Sequence, residues 1–329
     1  MPTLTLAKAL TASLRSAMAA DERVLVMGED VGRLGGVFRV TDGLQQEFGE
    51  HRVIDTPLGE SGIIGTAVGL AMRGYRPVCE IQFDGFVYPA FDQIVTQLAK
   101  LHARSRGAVQ VPVVIRIPFG GGIGAVEHHS ESPEAYFAHT AGLKVVACST
   151  PADAYTMLRQ AVASDDPVVF FEPKRRYWDK GEVPADAEPV GPADEELHRS
   201  RVVRGGTTAT LVAYGPTVRV CLDAAQAAEQ DGHDLEVIDL RTLSPLDLDP
   251  VLESVRRTGH LVVVAEAPSS CSVAAEVAAR VSEQAFFSLE APVLRVTGFD
   301  APYPPSRLEE HYLPGLDRVL EAVDRSLAF

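Results

Sequence analysis

Short, almost purely apolar runs recur along this chain at residues 24–27, 78–81, 111–117, 144–147 and 168–171, and again at 209–213, 235–240, 261–265 and 293–297. They are rich in Val, too short for helices and free of polar alternation. That is the pattern of strands buried on both faces of a parallel sheet. Between them, apolar residues return at helical spacing near 4–19, 61–73, 89–105 and 152–163, then near 216–230, 247–257, 272–285 and 315–328. A stretch from Asp179 onward, rich in Pro, Gly and acid and without apolar period, predicts a linker over residues 179–200. The expected fold is therefore α/β. It has two parallel-sheet domains, at residues 1–178 and 201–329, with helices on both faces of each sheet.

The length of 329 residues agrees with two domains, and a composition of 46% hydrophobic and 23% charged residues fits a soluble chain with a substantial core. No apolar run reaches the roughly 18 residues that a membrane span needs. The start, Met1-Pro-Thr-Leu-Thr5, has neither a secretory core nor an Arg-rich transit pattern. Cys79, Cys148, Cys221 and Cys271 are isolated and form no C-x-x-C pair, so buried thiols of a reducing, cytoplasmic protein are expected. Charge is uneven. Residues 1–180 carry 18 basic against 20 acidic side chains, net −2, and residues 181–329 carry 12 against 25, net −13. An acidic second half argues against nucleic acid and suits either a basic protein partner or simple solubility.

Candidate chemistry begins at Thr56-Pro-Leu-Gly-Glu60-Ser-Gly-Ile-Ile-Gly65, where a carboxylate stands at the mouth of a helix of small residues. Small side chains let another backbone approach closely. A Glu at the edge of such a seam is open to desolvation and proton exchange, or else simply complements the helix dipole. Gly32-Arg-Leu-Gly-Gly36 lacks the dinucleotide spacing. Gly120-Gly-Gly-Ile-Gly124 lacks the Lys-Ser/Thr of a phosphate loop and leads instead to His128 and His129. Adjacent histidines point apart and have no obvious third ligand. An acid/base or positioning role for one of them, or an exposed turn, fits better than a metal site.

Taken together, Gly28-Glu-Asp-Val-Gly32, Thr56-Pro-Leu-Gly-Glu60, Glu80-Ile-Gln82-Phe-Asp-Gly-Phe86, Phe91-Asp-Gln-Ile94, His129-Ser130, Gly142-Leu-Lys-Val-Val146 and Phe170-Phe-Glu-Pro-Lys174 stand in order along the chain. They resemble the beta subunit of the thiamine-diphosphate-dependent 2-oxo acid dehydrogenases. The likeness runs over essentially the whole chain, most densely in residues 24–178. It is closest to the branched-chain, 2-oxoisovalerate type through Ile81-Gln-Phe-Asp-Gly-Phe86, His129-Ser-Glu-Ser-Pro-Glu134 and Phe170-Phe-Glu-Pro-Lys-Arg175.

The resemblance implies an N-terminal pyrimidine-binding domain and a C-terminal transketolase-like domain. Glu60 falls on the glutamate that hydrogen-bonds the aminopyrimidine ring, Phe86 on the aromatic that stacks against it, and Leu58 and Gln82 on positions lining the same pocket. His129 falls on the active-site histidine, which guides acyl transfer to the lipoyl group or orients the substrate carboxylate. Where the family often has His-Ser-Gln, this chain has Glu131, which adds a negative charge beside the site. His139 reads better as a helix-end residue. Arg116 faces the site or pairs structurally.

No Gly-Asp-Gly motif is present, so the resemblance implies that Mg²⁺ and the diphosphate are held by a separate alpha subunit in an α2β2 heterotetramer. It also implies docking of the lipoyl-bearing acyltransferase on the acidic second half. A structural K⁺ held by backbone near Val111, Val113, Ala161, Ser164 and Asp166 is a further implication. The expected activity is oxidative decarboxylation of a branched-chain 2-oxo acid. A pyruvate or acetoin enzyme and a non-catalytic scaffold subunit stand as alternatives.

Overall fold

The computed structural model describes residues 1–184 and 197–329; the part of the expected linker at 185–196 lies outside the described residues. The strands are β1 (Thr3–Thr5), β2 (Val24–Gly28), β3 (Val53–Asp55), β4 (Arg76–Glu80), β5 (Val114–Phe119), β6 (Lys144–Ala147), β7 (Val168–Pro173) and β8 (Lys180–Glu182), followed by β9 (Arg201–Arg204), β10 (Ala209–Ala213), β11 (Leu235–Asp239), β12 (Thr242–Ser244), β13 (Leu261–Pro268) and β14 (Leu294–Gly298).

The first sheet has the order β12-β6-β7-β5-β4-β2-β3 and is parallel except at β12. Its strands are apolar on both faces. Met27, Cys79, Ile115, Val145 and Val169 point to one core, while Val26, Val78, Val114, Val146 and Val168 point to the other. Helices Leu6–Ala20 and Pro151–Ala163 cover the second face. Both start at threonine caps: Thr5 accepts from the Lys8 amide at 3.3 Å, and Thr150 from the Asp153 amide at 3.1 Å. Helix Glu60–Met72, a π-helical turn Gln93–Leu98 and helix Ala99–Arg104 cover the first face.

The second sheet runs β14-β13-β10-β11-β9, parallel except for β9. Helices Asp249–Thr258 and Val273–Gln284 lie on one face, Thr217–Ala228 and Leu316–Leu327 on the other. The core between the sheets is continuous, because Ile117, Phe119 and Phe171 belong to the same buried cluster as Tyr214, Ile238 and Val263.

The two parallel-sheet domains stand as expected, and each sheet adds one antiparallel strand at an edge. β9 and β12 run antiparallel, and β12 crosses from the second half of the chain to pair with β6. At the head of the expected linker, β8 pairs with β1 through Leu4 and Gly181. Cys79, Cys148 and Cys221 are buried, but Cys271 is exposed, contrary to the expectation of four buried thiols. Among the described residues no helix is long and apolar enough to cross a membrane.

Candidate functional site

The residues singled out by sequence gather at the carboxyl ends of β2, β3 and β4, where ligands of open parallel sheets sit. Glu60 opens its helix directly after a loop from β3. It is 8% exposed, and among the described residues its carboxylate makes no hydrogen bond. Beside it, Glu29 follows β2 and accepts from the Gly59 amide at 3.2 Å. Burial lifts the Glu29 carboxyl above its ordinary range against that hydrogen bond, and the charge of Glu60 adds to the lift. Thr56 Oγ1 is buried without a partner. The helix leaves open space around Gly59, Gly62 and Gly69, where an added Cβ would meet nothing within 4 Å. A largely buried glutamate with no protein hydrogen bond, next to an open glycine face, leaves an acceptor available to a ligand or partner.

Gln82 lies near the carbonyl of Glu29 at 3.5 Å and the carboxylate of Asp30 at 3.3 Å. Leu58 is 86% exposed and touches no core, so it lines a pocket only if another surface covers it. Phe86 is half-buried and packs on the central core. It belongs to the 3₁₀ turn Asp84–Ala90, which packs against both helix Glu60–Met72 and the turn Glu127–His129. That turn therefore joins the carboxylate end of the site to the histidine end.

At the histidine end, the His129 imidazole stacks on Phe83 with centroids 4.0 Å apart and meets the edge of Phe86 at 5.1 Å. Its Nδ1–H donates to the carbonyl of His128 at 2.8 Å, which leaves Nε2 as the ring nitrogen for chemistry. Glu131 accepts from the Tyr88 hydroxyl at 3.1 Å. His128 is exposed and pairs with Glu127 at 3.5 Å, and His139 caps the end of helix Glu134–Ala138.

Beneath this turn lies an ion pair that sequence reasoning missed. Lys174 and Asp84 contact each other with both side chains fully buried, and the Lys174 ammonium also donates to the His129 carbonyl. Asp84 takes the Glu131 amide at 2.7 Å. Burial raises the Asp84 carboxyl to about 6 against the pull of Lys174, and burial lowers the Lys174 ammonium. Lys174 lies 5.7 Å over the Phe83 ring, so one aromatic face meets the cation and the ring also carries the histidine. The signal was visible in a Lys closing a buried strand, but its partner stands 90 residues away.

Arg116 is structural. It is bidentate to Glu172 at 2.6 and 2.9 Å and reaches Glu80 at 2.7 Å, all buried, with Tyr177 donating to Glu172 at 2.7 Å.

At the expected cation corner the backbone carbonyls also accept hydrogen bonds within the chain. The carbonyl of Ser164 accepts from Arg76 at 2.9 Å, that of Ala161 from the Ser164 amide at 3.2 Å, that of Val113 from the Val168 amide at 2.9 Å, and that of Val111 from the Val113 amide at 2.8 Å. Lys144 stands 3.2 Å from the Asp166 carboxylate. Arg76 and Lys144 are the basic side chains beside these carbonyls. Among the described residues no three His, Cys, Asp or Glu side chains converge as a metal site.

Comparison with known proteins accounts for this layout. Residues 2–179 match the family "Transketolase, pyrimidine binding domain" and residues 198–319 "Transketolase, C-terminal domain". The chain is 65% identical over 326 residues to the pyruvate dehydrogenase E1 component subunit beta of Leifsonia xyli, covering 99% of this chain and 95% of that protein. It is 57% identical over 326 residues to the 3-methyl-2-oxobutanoate dehydrogenase subunit beta of Mycobacterium tuberculosis, covering 98% and 92%. Against the pyruvate dehydrogenase E1 component subunit beta of Bacillus subtilis it is 47% identical over 330 residues, with both chains covered completely. The solved structure "Split gene transketolase, inactive beta4 tetramer" shares the fold, with a TM-score of 0.80 at 22% identity over 99% of this chain and 98% of that one. With both domain families matched in order and relatives aligned over more than nine-tenths of their length, the chain belongs to the E1 beta subunits of the 2-oxo acid dehydrogenases.

Proposed function

We propose that this chain supplies the pyrimidine half of a thiamine-diphosphate site that a separate alpha subunit completes. The observation that supports this reading is Glu60, a largely buried glutamate whose carboxylate makes no hydrogen bond within the chain, beside an uncovered glycine face. In this reading Glu60 hydrogen-bonds the aminopyrimidine ring and holds the proton that sets its tautomer, with Glu29 beside it. Phe86 stacks against the ring, worth about 1 kcal/mol beyond its buried area. Gln82 and Leu58 border the same ring, and Leu58 becomes enclosed when the alpha subunit covers it. The cofactor, when bound, supplies the electron sink for decarboxylation of a 2-oxo acid. Mg²⁺ and the diphosphate belong to the alpha subunit. His129 presents Nε2 to the substrate carboxylate or to the lipoyl dithiolane that takes the acyl group. The acidic second half is the docking face for the lipoyl-bearing acyltransferase.

For substrate, we favour a branched-chain 2-oxo acid such as 2-oxoisovalerate. The runs around Gln82, His129 and Lys174 support it, as does the 57%-identical relative named for 3-methyl-2-oxobutanoate. Pyruvate is the competing substrate, favoured by the 65%-identical relative.

The test is co-expression with an alpha subunit and a decarboxylation assay with thiamine diphosphate, Mg²⁺ and an artificial electron acceptor. 2-Oxoisovalerate and pyruvate are offered in parallel, beside each chain alone. Turnover only by the mixture, with 2-oxoisovalerate preferred, is the expected result. Preference for pyruvate overturns the substrate assignment. Full activity of the Glu60→Gln complex makes this chain a scaffold.

A further inference from the structure

The glycine run at 120–124 belongs to a longer loop that also carries His129. The Gly120 amide donates to the Glu131 carbonyl at 2.9 Å and closes the loop at its base. That base is anchored within the first half of the chain by Asp84 and Lys174. The far arm is held differently. The amide of Gly121 donates to Glu266 at 3.1 Å, and the amides of Gly122 and Gly124 donate to the two oxygens of Glu309 at 2.8 and 3.0 Å. Tyr303 fixes Glu309 by donating its hydroxyl at 2.6 Å.

Gly120, Gly122 and Gly124 have φ values of +81°, +88° and +70°, which turn neighbouring amides to one side and form a concave anion-binding backbone. In this chain the anion is internal. Both carboxylates are buried, at 4% and 7% exposure, and both come from the second half of the chain. Tyr303 approaches so closely that a Cβ on Gly121 would lie 1.9 Å from its hydroxyl.

We propose that Glu309, assisted by Glu266, is a positioning residue for His129: the second half of the chain grips the glycine loop and so fixes the histidine turn at the site. This rests on the role of His129 proposed above. Without the two carboxylates, three loop amides lose their acceptors, and the arm leading into Glu127–His129 is free to swing.

The test uses the assembled complex with its alpha subunit and the variants Glu309→Gln and Glu266→Gln, each retaining side-chain size. Hydrogen exchange is followed in peptides spanning residues 120–131. In the same preparations, kcat for acyl transfer to a lipoylated acceptor domain and the affinity for thiamine diphosphate are measured. The expected result for Glu309→Gln is at least tenfold faster exchange in that loop and about tenfold lower kcat. Cofactor affinity is expected to stay within twofold and exchange elsewhere to stay unchanged. Glu266→Gln shows the same pattern more weakly. Unchanged exchange at 120–131 overturns the proposal, and so does faster exchange with unchanged acyl transfer. A parallel fall in cofactor affinity overturns it as well, because that marks general damage. If the unmodified complex turns over no 2-oxo acid, the functional reading fails, while the exchange data still decide whether the carboxylates grip the loop.

Discussion

Phe83 lies flat against His129, with ring centroids 4.0 Å apart and planes 12° from parallel. The stack, the edge of Phe86 and the Nδ1 hydrogen bond together hold the imidazole, with Nε2 as the nitrogen not engaged within the chain. Lys174 below the same ring ties that orientation to a buried charge pair. The direction of the histidine is thus set from two sides, by the Phe83–Lys174 pair and by Phe86.

Phe83→Leu keeps the volume apolar but removes the flat support. The expected effect is roughly a 10- to 100-fold loss of kcat for acyl transfer, since small misplacements of a reacting group cost that much. Cofactor affinity stays near its original value. Steady-state kinetics of the assembled complex with a lipoylated acceptor check this.

Glu134 is buried and receives the Tyr214 hydroxyl at 2.6 Å. Burial pushes its carboxyl up to about 7 from an ordinary 4.5, against that hydrogen bond. A raised acid favours the protonated folded state, so this contribution is complete below pH 4.5 and is lost as pH rises through 7. Glu134→Gln is therefore expected to gain on the wild type as pH increases, by up to about 3 kcal/mol between pH 5 and 8. Urea midpoints at the two pH values measure it. A difference independent of pH contradicts the assignment.

Arg116 neutralises two buried carboxylates. Burial opposes its charge, yet Glu172 and Glu80 hold it firmly protonated, and burial raises Glu80 despite the pairing. Arg116→Met strands both acids and is expected to cost roughly 3–5 kcal/mol near neutral pH. The loss shrinks toward pH 5 as the stranded acids take up protons. Denaturant titration at both pH values reads the slope.

Gly142 and Gly74 both have left-handed backbone, at φ +101° and +92°, but a Cβ on Gly142 would lie 2.0 Å from the Ala99 carbonyl, while one on Gly74 meets nothing. Gly74→Ala is expected to cost the backbone term alone, about 1–2 kcal/mol. Gly142→Ala adds a clash with backbone that cannot yield and is expected to exceed it by at least about 1 kcal/mol. Paired melting curves separate the two.

The Val-rich runs made the central strands legible because a strand buried on both faces has little choice of composition. β2, β6, β7 and β10 fall where those runs stand, and the expected helices begin and end within a few residues of their patterns except at 89–105. There a 3₁₀ turn and a π-helical turn precede an α-helix that starts only at Ala99. The segment 111–113 misleads, since the strand begins only at Val114. β1, β3, β8 and β12 are three residues each and exist through partners far along the chain, so no local period announces them. Glu60, Phe86 and His129 were legible as motif positions. The groups that hold them were not. Asp84 meets Lys174 across 90 residues, and Glu309 meets Gly122 across 187. The unpaired amides of a glycine run were the one local clue, because such donors need an acceptor when buried.

The crossing of β12 into the first sheet has a thermodynamic consequence. Two family matches meet near residues 179–198, yet Thr242–Ser244 completes the sheet edge beside β6, and the packed interior runs unbroken between the two sheets. The boundary that evolution marks in the sequence is therefore not a line along which the molecule can be cut. A fragment ending near residue 200 would expose one edge of its sheet and a wide apolar face at once. Each half is therefore expected to be less stable alone than within the whole chain, because the edge and the apolar face that the other half covers would meet water.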